Sequence, residues 1–464
     1  MGDTTIETRS GIVETLGAKC ANGIQKWLPE PFLFAVILTV LAALLSITLA
    51  NQDPGEMVEH WYSGFWNLLG FSMQMVLILI TGYVLAHAPI VRSGLSWVSD
   101  LPRSGAQAIV LVAVISLVLA WINWGFGVII GALLAREVGK RAYANGVAVH
   151  YPLLCTAGYV GLGVSWHWGP SSSAPLISAT PGHLFENLIG IVPTGETIFS
   201  SYAIWLLLLS LVYVPLVLYL MAPKTADRCR GIEHWLPEVT ADSEADTNTQ
   251  ERQHSLQSFA EKLNNNRAVG AIVAIFGLGY VVNHFLSGGS LDINIVNFTL
   301  LMLGLGLFLR PQIYSASLND AMRLSGGIVL QFPFYGGIMG MIGGSGLSVI
   351  MADWLIQVAS AESLPVMVWL AAGVVNLFVP SGGGEWVVLG ETIIRASQEL
   401  GVPIGKSIIA FGTGDAWTNL FQPFWAIALL GVTGMKARDM FGYCVFLMIA
   451  MAPFLAALLT WLPY

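Results

Sequence analysis

Three ionisable residues, Asp415, Glu385 and His167, lie in stretches of sequence that otherwise carry almost no charge. Apolar stretches of such length are typical of membrane-spanning helices, where a buried charge is costly and often binds an ion or a proton. We therefore predict that these residues take part in ion coupling, with H⁺ or Na⁺ as the coupled ion. A structural hydrogen bond or ion pair is the alternative for each of them.

Polar segments interrupt the apolar pattern at four places, and each is rich in Ser, Thr, Asn, Gln or Gly. They are Asn123–Gly127, His167–Pro175, Pro380–Gly384 and Thr418–Pro423. Half-helices that begin at such breaks direct free N–H groups and the positive end of the helix dipole at the break, which suits a carboxylate or another small anion. The alternative is that these polar residues only cap helix ends.

The candidate substrate-binding residues are drawn from these four segments. They are Asn123, Gly125, Gly127, His167, Ser171, Ser172, Ser173, Ser381, Gly382, Gly383, Thr418, Asn419 and Gln422. Aromatic residues near the breaks offer walls for an apolar pocket, although each is equally compatible with an ordinary core position. They are Trp124, Trp166, Trp168, Trp417 and Phe424.

The composition indicates an all-α polytopic membrane protein. Of 464 residues, 55% are hydrophobic and only 10% are charged, against about 25% charged residues in a soluble domain. The mean hydropathy is +0.70. These values exclude a cytosolic enzyme and a disordered chain, and the net charge of −8 offers no basic surface for a nucleic acid partner. The expected partner surface is the lipid bilayer.

Catalytic and metal-site motifs are absent from the sequence. There is no HExxH and no GxSxG, and the four cysteines are widely spaced. We therefore expect neither an enzyme nor a resident cofactor or metal.

Basic residues predict the orientation and the first re-entrant hairpin. Arg9, Lys19 and Lys26 precede the first apolar stretch, so the positive-inside rule places the N-terminus on the cytoplasmic side of the membrane. A single crossing by residues 104–135 would put the following basic residues, Arg136 to Arg141, outside. A hairpin that dips into the membrane and returns keeps them inside.

The chain divides into two similar halves. Ser93–Ser96 recurs as Ser345–Ser348, and Trp121–Gly127 resembles Val375–Gly384, at offsets of about 252 residues. Two copies of opposite topology, each with a hairpin and a broken helix, are typical of inverted-repeat transporters.

This division predicts four regions. Residues 1–30 form a cytoplasmic amphipathic segment. Residues 31–223 hold the first repeat, with a hairpin at 105–140 and a broken transmembrane helix at 149–185. Residues 224–267 are a charged cytoplasmic linker. Residues 268–464 hold an extra helix and the second repeat, with a hairpin at 363–395 and a broken helix at 403–433.

Four long segments resemble the bacterial short-chain fatty acid transporters, the AtoE-like family of the ion-transporter superfamily. They are AWINWGFGVIIGALLAREV, HYPLLCTAGYVGLGVSWHWGPSSSAPL, NLFVPSGGGEWVVLGETI and GTGDAWTNLFQPFWA. The resemblance implies uptake of small monocarboxylates such as butyrate or acetoacetate through an inverted-repeat fold. The hairpins lack the Ser-Asn-Thr motif of the dicarboxylate branch of that superfamily, which argues against a two-sodium dicarboxylate mechanism.

The resulting expectation is a secondary active symporter that works by elevator-type alternating access. A homodimer is expected because superfamily members of this kind are often dimers. A passive anion channel or uniporter and an intramembrane acyl-processing enzyme are the alternatives.

Overall fold

The computed structural model describes residues 31–237, 258–323, 325–377 and 379–464. Throughout these ranges the secondary structure is helical, and no strand occurs in them. The predicted amphipathic segment 1–30 and the middle of the predicted linker lie outside the described residues. Helix α12, defined below, begins at Arg267, the last residue of the predicted linker.

Within the described residues, the first half of the chain contributes ten α-helices. They are α1 (Pro31–Leu49), α2 (Pro54–Phe65), α3 (Leu69–Ala86), α4 (Pro89–Ser99), α5 (Gly105–Ile122), α6 (Trp124–Ala144), α7 (Tyr151–Val164), α8 (Ala174–Ala179), α9 (Glu186–Ile189) and α10 (Ser201–Met221).

The second half contributes eleven. They are α11 (Phe259–Asn264), α12 (Arg267–Leu286), α13 (Ile293–Phe308), α14 (Pro311–Met322), α15 (Gly326–Gly344), α16 (Leu347–Val358), α17 (Leu364–Asn376), α18 (Gly382–Glu399), α19 (Ile404–Asn419), α20 (Pro423–Thr433) and α21 (Ala437–Trp461).

Six helical segments of the described chain are long and apolar enough to cross a membrane. They are Leu69–Ala86, Gly105–Ile122, Ser201–Met221, Phe259–Leu286, Gly326–Gly344 and Ala437–Trp461. Four helices at the breaks are shorter, as expected for half-helices that meet inside the protein: α7 has 14 residues, α8 has 6, α17 has 13 and α20 has 11.

The packing repeats between the two halves with their elements exchanged. Helix α6 packs against α3 of its own half and against α20 of the other half. Helix α18 correspondingly packs against α15 of its own half and against α8 of the other. Likewise, α5 packs on α7 and α17 packs on α19. This exchange is what a pseudo-twofold relation between two repeats requires.

Polar caps fix where each helix pair turns. The Asn123 side chain accepts a hydrogen bond from Phe126 N at 2.8 Å and starts α6 immediately after α5 ends. The Ser381 hydroxyl caps α18 in the same way, accepting from Gly384 N at 3.3 Å. These are the preferred capping residue types, because each satisfies an N–H group that the helix leaves free.

The caps also correct the alignment of the repeats. Asn123 and Ser381 are 258 positions apart, a longer offset than the sequence matches indicated. Ser93 lies inside α4, whereas Ser345 precedes α16, so the match between Ser93–Ser96 and Ser345–Ser348 joins positions that are not equivalent.

Candidate functional site

A buried histidine–aspartate pair joins the two broken helices. His167 lies in a short 3₁₀ turn at Trp166–Trp168, and its Nε2 is 2.9 Å from Oδ1 of Asp415 in α19. His167 is 0% exposed and Asp415 is 1% exposed, so this polar contact is sealed from solvent. A buried ionisable pair needs such a contact because desolvation is otherwise uncompensated.

Glu385 extends this pair into a chain of three ionisable groups. It lies in the first turn of α18, is fully buried, and follows by one helical turn Gly382, which packs on the imidazole of His167. Neither Glu385 oxygen has a hydrogen-bond partner among the described residues, and Oδ2 of Asp415 has none there either. Two carboxylates have no proton to donate to each other, so a hydrogen bond between them forms only when one of them is protonated.

Glycines allow the neighbouring helices to close on the imidazole ring. A Cβ atom on Gly382 would overlap Nε2 of His167, and one on Gly412 would lie 2.9 Å from the ring atom Nδ1. The Trp166 ring also lies against the imidazole, with its centroid 3.6 Å from that of His167. The imidazole is therefore held by α18, α19 and its own neighbour in sequence.

Asn376 organises the second break, and the sequence did not single it out. Its Nδ2 lies within hydrogen-bond distance of the Asp415 carbonyl at 2.7 Å, of Thr418 Oγ1 at 2.9 Å and of Asn419 Oδ1 at 3.0 Å. Gln422 Nε2 in turn donates to the Asn376 carbonyl. Asn376 therefore brings together three of the predicted substrate-binding residues, Thr418, Asn419 and Gln422. The bonds of these side chains are made to other protein groups.

Two hydrogen bonds connect the turn at residues 165–173 to the pair of helices α5 and α6. Ser171 accepts a hydrogen bond from Trp124 N at 2.9 Å, and Trp121 Nε1 donates to the Trp168 carbonyl at 2.8 Å. Ser172 is fully buried, and its hydroxyl has no partner among the described residues. Ser171 is one of the three consecutive serines predicted to bind substrate, and this hydrogen bond shows that it also holds the turn at Asn123 in place.

A small cavity of about 30 Å³ lies where the breaks meet. Its walls are mainly apolar and come from both halves of the chain. The lining residues are Met75, Trp124, Leu162, Trp166, Ser173, Ile328, Phe332, Ser381, Gly382 and Trp425. Three predicted candidates, Ser173, Ser381 and Gly382, supply the polar side next to the N-terminus of α18.

Some predicted residues lie elsewhere. Gly125 and Gly127 lie in the first turn of α6, and a Cβ on Gly127 would overlap Ala120, so this glycine allows the two arms of the first pair to pack. Gly383 faces Phe71 rather than the cavity. Asn123 is buried as a helix cap.

A second cavity adjoins the first and is larger, at about 290 Å³. Trp124 and Trp425 line both cavities, and their rings meet edge to face with centroids 5.4 Å apart. The larger cavity is lined in part by the basic side chain of Arg323. An aromatic pair thus separates the small cavity from a wider space that carries positive charge.

The fold and the site define an all-helical membrane transporter of the inverted-repeat type. A solved structure with a related fold is the Alcanivorax borkumensis YdaH transporter, described as having an unusual topology. It aligns with a TM-score of 0.56 at 16% identity and covers 93% of this chain and 97% of its own. At that identity the likeness shows the fold alone.

The chain belongs to the short chain fatty acid transporter family, whose model matches residues 12–462. A protein of Escherichia coli strain K12 named "Putative short-chain fatty acid transporter" is 38% identical over 423 residues, covering 91% of this chain and 93% of its own. A Haemophilus influenzae protein of the same name is 36% identical over 440 residues, covering 93% and 95% respectively. The predicted family is therefore confirmed.

Proposed function

We propose that this protein is a secondary active symporter for short-chain monocarboxylates such as butyrate or acetoacetate, and that it works by elevator-type alternating access. It catalyses no covalent step. It lies in the bacterial inner membrane with a cytoplasmic N-terminus and assembles as a homodimer. Family membership supports the substrate class, and the arrangement of the site supports the mechanism.

The small cavity is the observation that carries the proposal. It offers four aromatic rings for a short acyl chain and, at its polar side, the Ser173 and Ser381 hydroxyls beside the N-terminus of α18. Helix N-termini attract carboxylates because their first N–H groups are free and the helix dipole is positive there. An apolar tail and a carboxylate therefore meet matching surfaces.

The size of the cavity requires movement. A space of about 30 Å³ holds about two or three water molecules, each of which needs about 10–15 Å³ of cavity, and is too small for the six heavy atoms of butyrate. The aromatic walls belong to elements of both repeats, so displacement of the hairpins and broken helices against α3 and α15 enlarges it. This relation favours alternating access over a fixed pore.

The larger cavity supplies the route on the cytoplasmic side. Arg323 attracts anions toward the Trp124–Trp425 pair, and parting of that pair joins the two spaces. A route closed at this pair fits a carrier better than a channel, which needs an uninterrupted path.

Initial rates of labelled butyrate uptake into proteoliposomes test the symport. One arm carries an inward proton gradient and another an inward sodium gradient, and protein-free liposomes give the baseline because neutral butyric acid crosses bilayers unaided. We expect saturable, gradient-driven uptake above that baseline. Saturable uptake that ignores both gradients would show a uniporter, and linear flux would show a channel.

A further inference from the structure

Glu385 and Asp415 form an unusual pair at the site. Both are buried on the two helices that enclose the His167 ring, and three of their four oxygens have no hydrogen-bond partner among the described residues. Within that part of the chain, no Lys or Arg forms an ion pair with either of them. Two adjacent carboxylates away from water cannot both remain ionised, since their repulsion is unscreened.

We propose that the coupling ion is a proton and that the Glu385–Asp415 pair, supported by His167, carries it. This inference rests on the proposed symport and names its ion and its residues. A proton shared by the two carboxyl groups removes their repulsion and supplies the missing donor. The His167 ring contacts Asp415 Oδ1 at 2.9 Å, which holds Asp415 in place and leaves its Oδ2 for the shared proton.

The arrangement of the groups suits a proton, because a proton needs only one or two oxygen or nitrogen atoms, whereas a metal cation needs several ligands that converge on one point. The three ionisable groups form a chain instead, from His167 through Asp415 to Glu385. The other titratable side chain at this place is Tyr335 of α15, whose ring lies against Gly384 and whose hydroxyl donates to Gln331 at 3.0 Å.

Gly382 links the proton-binding pair to the substrate cavity. It lines the cavity, and it is also the residue of α18 that packs directly on the imidazole of His167. A carboxylate bound at the N-terminus of α18 lies at the same helix turn as Glu385. An ionised Glu385 repels that anion and a protonated one does not, so each ligand strengthens binding of the other. This reciprocal effect is what couples two fluxes.

Substitution of Glu385 by glutamine separates binding from coupling. The amide imitates the protonated acid, so Glu385→Gln keeps exchange of labelled for unlabelled butyrate without any ion gradient. Proton-driven accumulation falls by about tenfold, within the usual range of coupling between two sites. Glu391→Gln is the matched control, because Glu391 lies on the same helix but is partly exposed and paired with Arg395 at 2.7 Å. It leaves both activities unchanged.

The outcomes separate this proposal from the symport itself. Wild-type protein that neither exchanges nor accumulates butyrate would overturn the proposed function. Wild-type accumulation under a sodium gradient alone, or full proton-driven accumulation by Glu385→Gln, would overturn proton carriage. If Glu385→Gln does not fold, Asp415→Asn is tested in the same way. Should both variants melt normally yet lose exchange and accumulation equally, the pair is structural and the proposal fails.

Discussion

For single residues, the site depends on glycines that let the backbone of one helix come close to a side chain of another segment. Gly382 is the clearest case, since its missing side chain leaves the space that the His167 ring occupies. The same residue borders the cavity. A change at this one position therefore affects both ligands of the proposed symporter.

Gly382→Ala should reduce butyrate uptake by about tenfold or more, because the new methyl group displaces His167 from Asp415 or intrudes on the cavity. Overpacking of this kind costs about 1–3 kcal/mol. Gly279→Ala is the matched control, since nothing lies within 4 Å of a Cβ built there. Initial rates at equal protein incorporation measure the effect. Equal rates for Gly382→Ala and wild type would show that this contact is not critical.

The ionisable residues could be predicted from the sequence, whereas the cavity walls could not. Charge is rare in the apolar segments, so the sequence singles out Asp415, Glu385 and His167. The structure places these three residues at one site. Met75, Phe332 and Trp425 line the cavity, but an apolar residue that faces a cavity looks the same in sequence as one in the core. Asn376 was missed because a lone amide within an apolar helix carries no motif.

For the helices, the observed interruptions are shorter than the polar sequence segments from which they were predicted. Helix α6 restarts at Trp124, directly after Asn123, and α18 already includes Gly382 and Gly383. Composition marks where a helix is interrupted, but the exact end depends on which side chain caps it. Asn376 then ties the end of α17 to α19 through bonds that only tertiary packing creates.

Asn376→Ala should lower the melting temperature of the purified protein, because it leaves buried acceptors on α19 without a donor. Each such loss costs about 1–3 kcal/mol. Asn376→Asp should lower the melting temperature further, since a carboxylate faces the same carbonyl and hydroxyl oxygens. Asn294→Ala, at an exposed bond to Gln74, serves as the control. A melting temperature for Asn376→Asp equal to that of wild type would contradict the hydrogen-bond assignment.

At the scale of the whole molecule, the two repeats meet around the site. The exchanged packing of α6 and α18 places one helix pair from each half against α3 and α15. The order of the elements could be anticipated from internal similarity, but the pairing register could not, because the offset between the caps differs from the offset of the sequence matches. Short motifs shared by chance mislead an alignment where helices have different lengths.

Cross-linking α3 to α18 should stop transport if the second hairpin moves against α3. A Cβ atom on Gly383 would lie 2.5 Å from the ring of Phe71. The double variant Phe71→Cys with Gly383→Cys therefore places two thiols within reach of a mercury bridge. The four native cysteines are removed first. We expect mercury to abolish uptake by the double variant and a thiol reductant to restore it. The single variants should be unaffected. Continued uptake by the bridged protein would exclude the elevator motion.

In the proposed mechanism, a monocarboxylate and a proton bind together at adjacent positions. The most direct test measures the pH change when butyrate is added to the purified protein in weakly buffered detergent solution, where no membrane leak interferes. The measurement is made over a series of pH values that extends to alkaline pH, where the pair is ionised before butyrate binds. At alkaline pH we expect uptake of about one proton for each butyrate bound, as for linked ligands, and its loss in Glu385→Gln. Saturable butyrate binding without any proton uptake by the wild-type protein would contradict it.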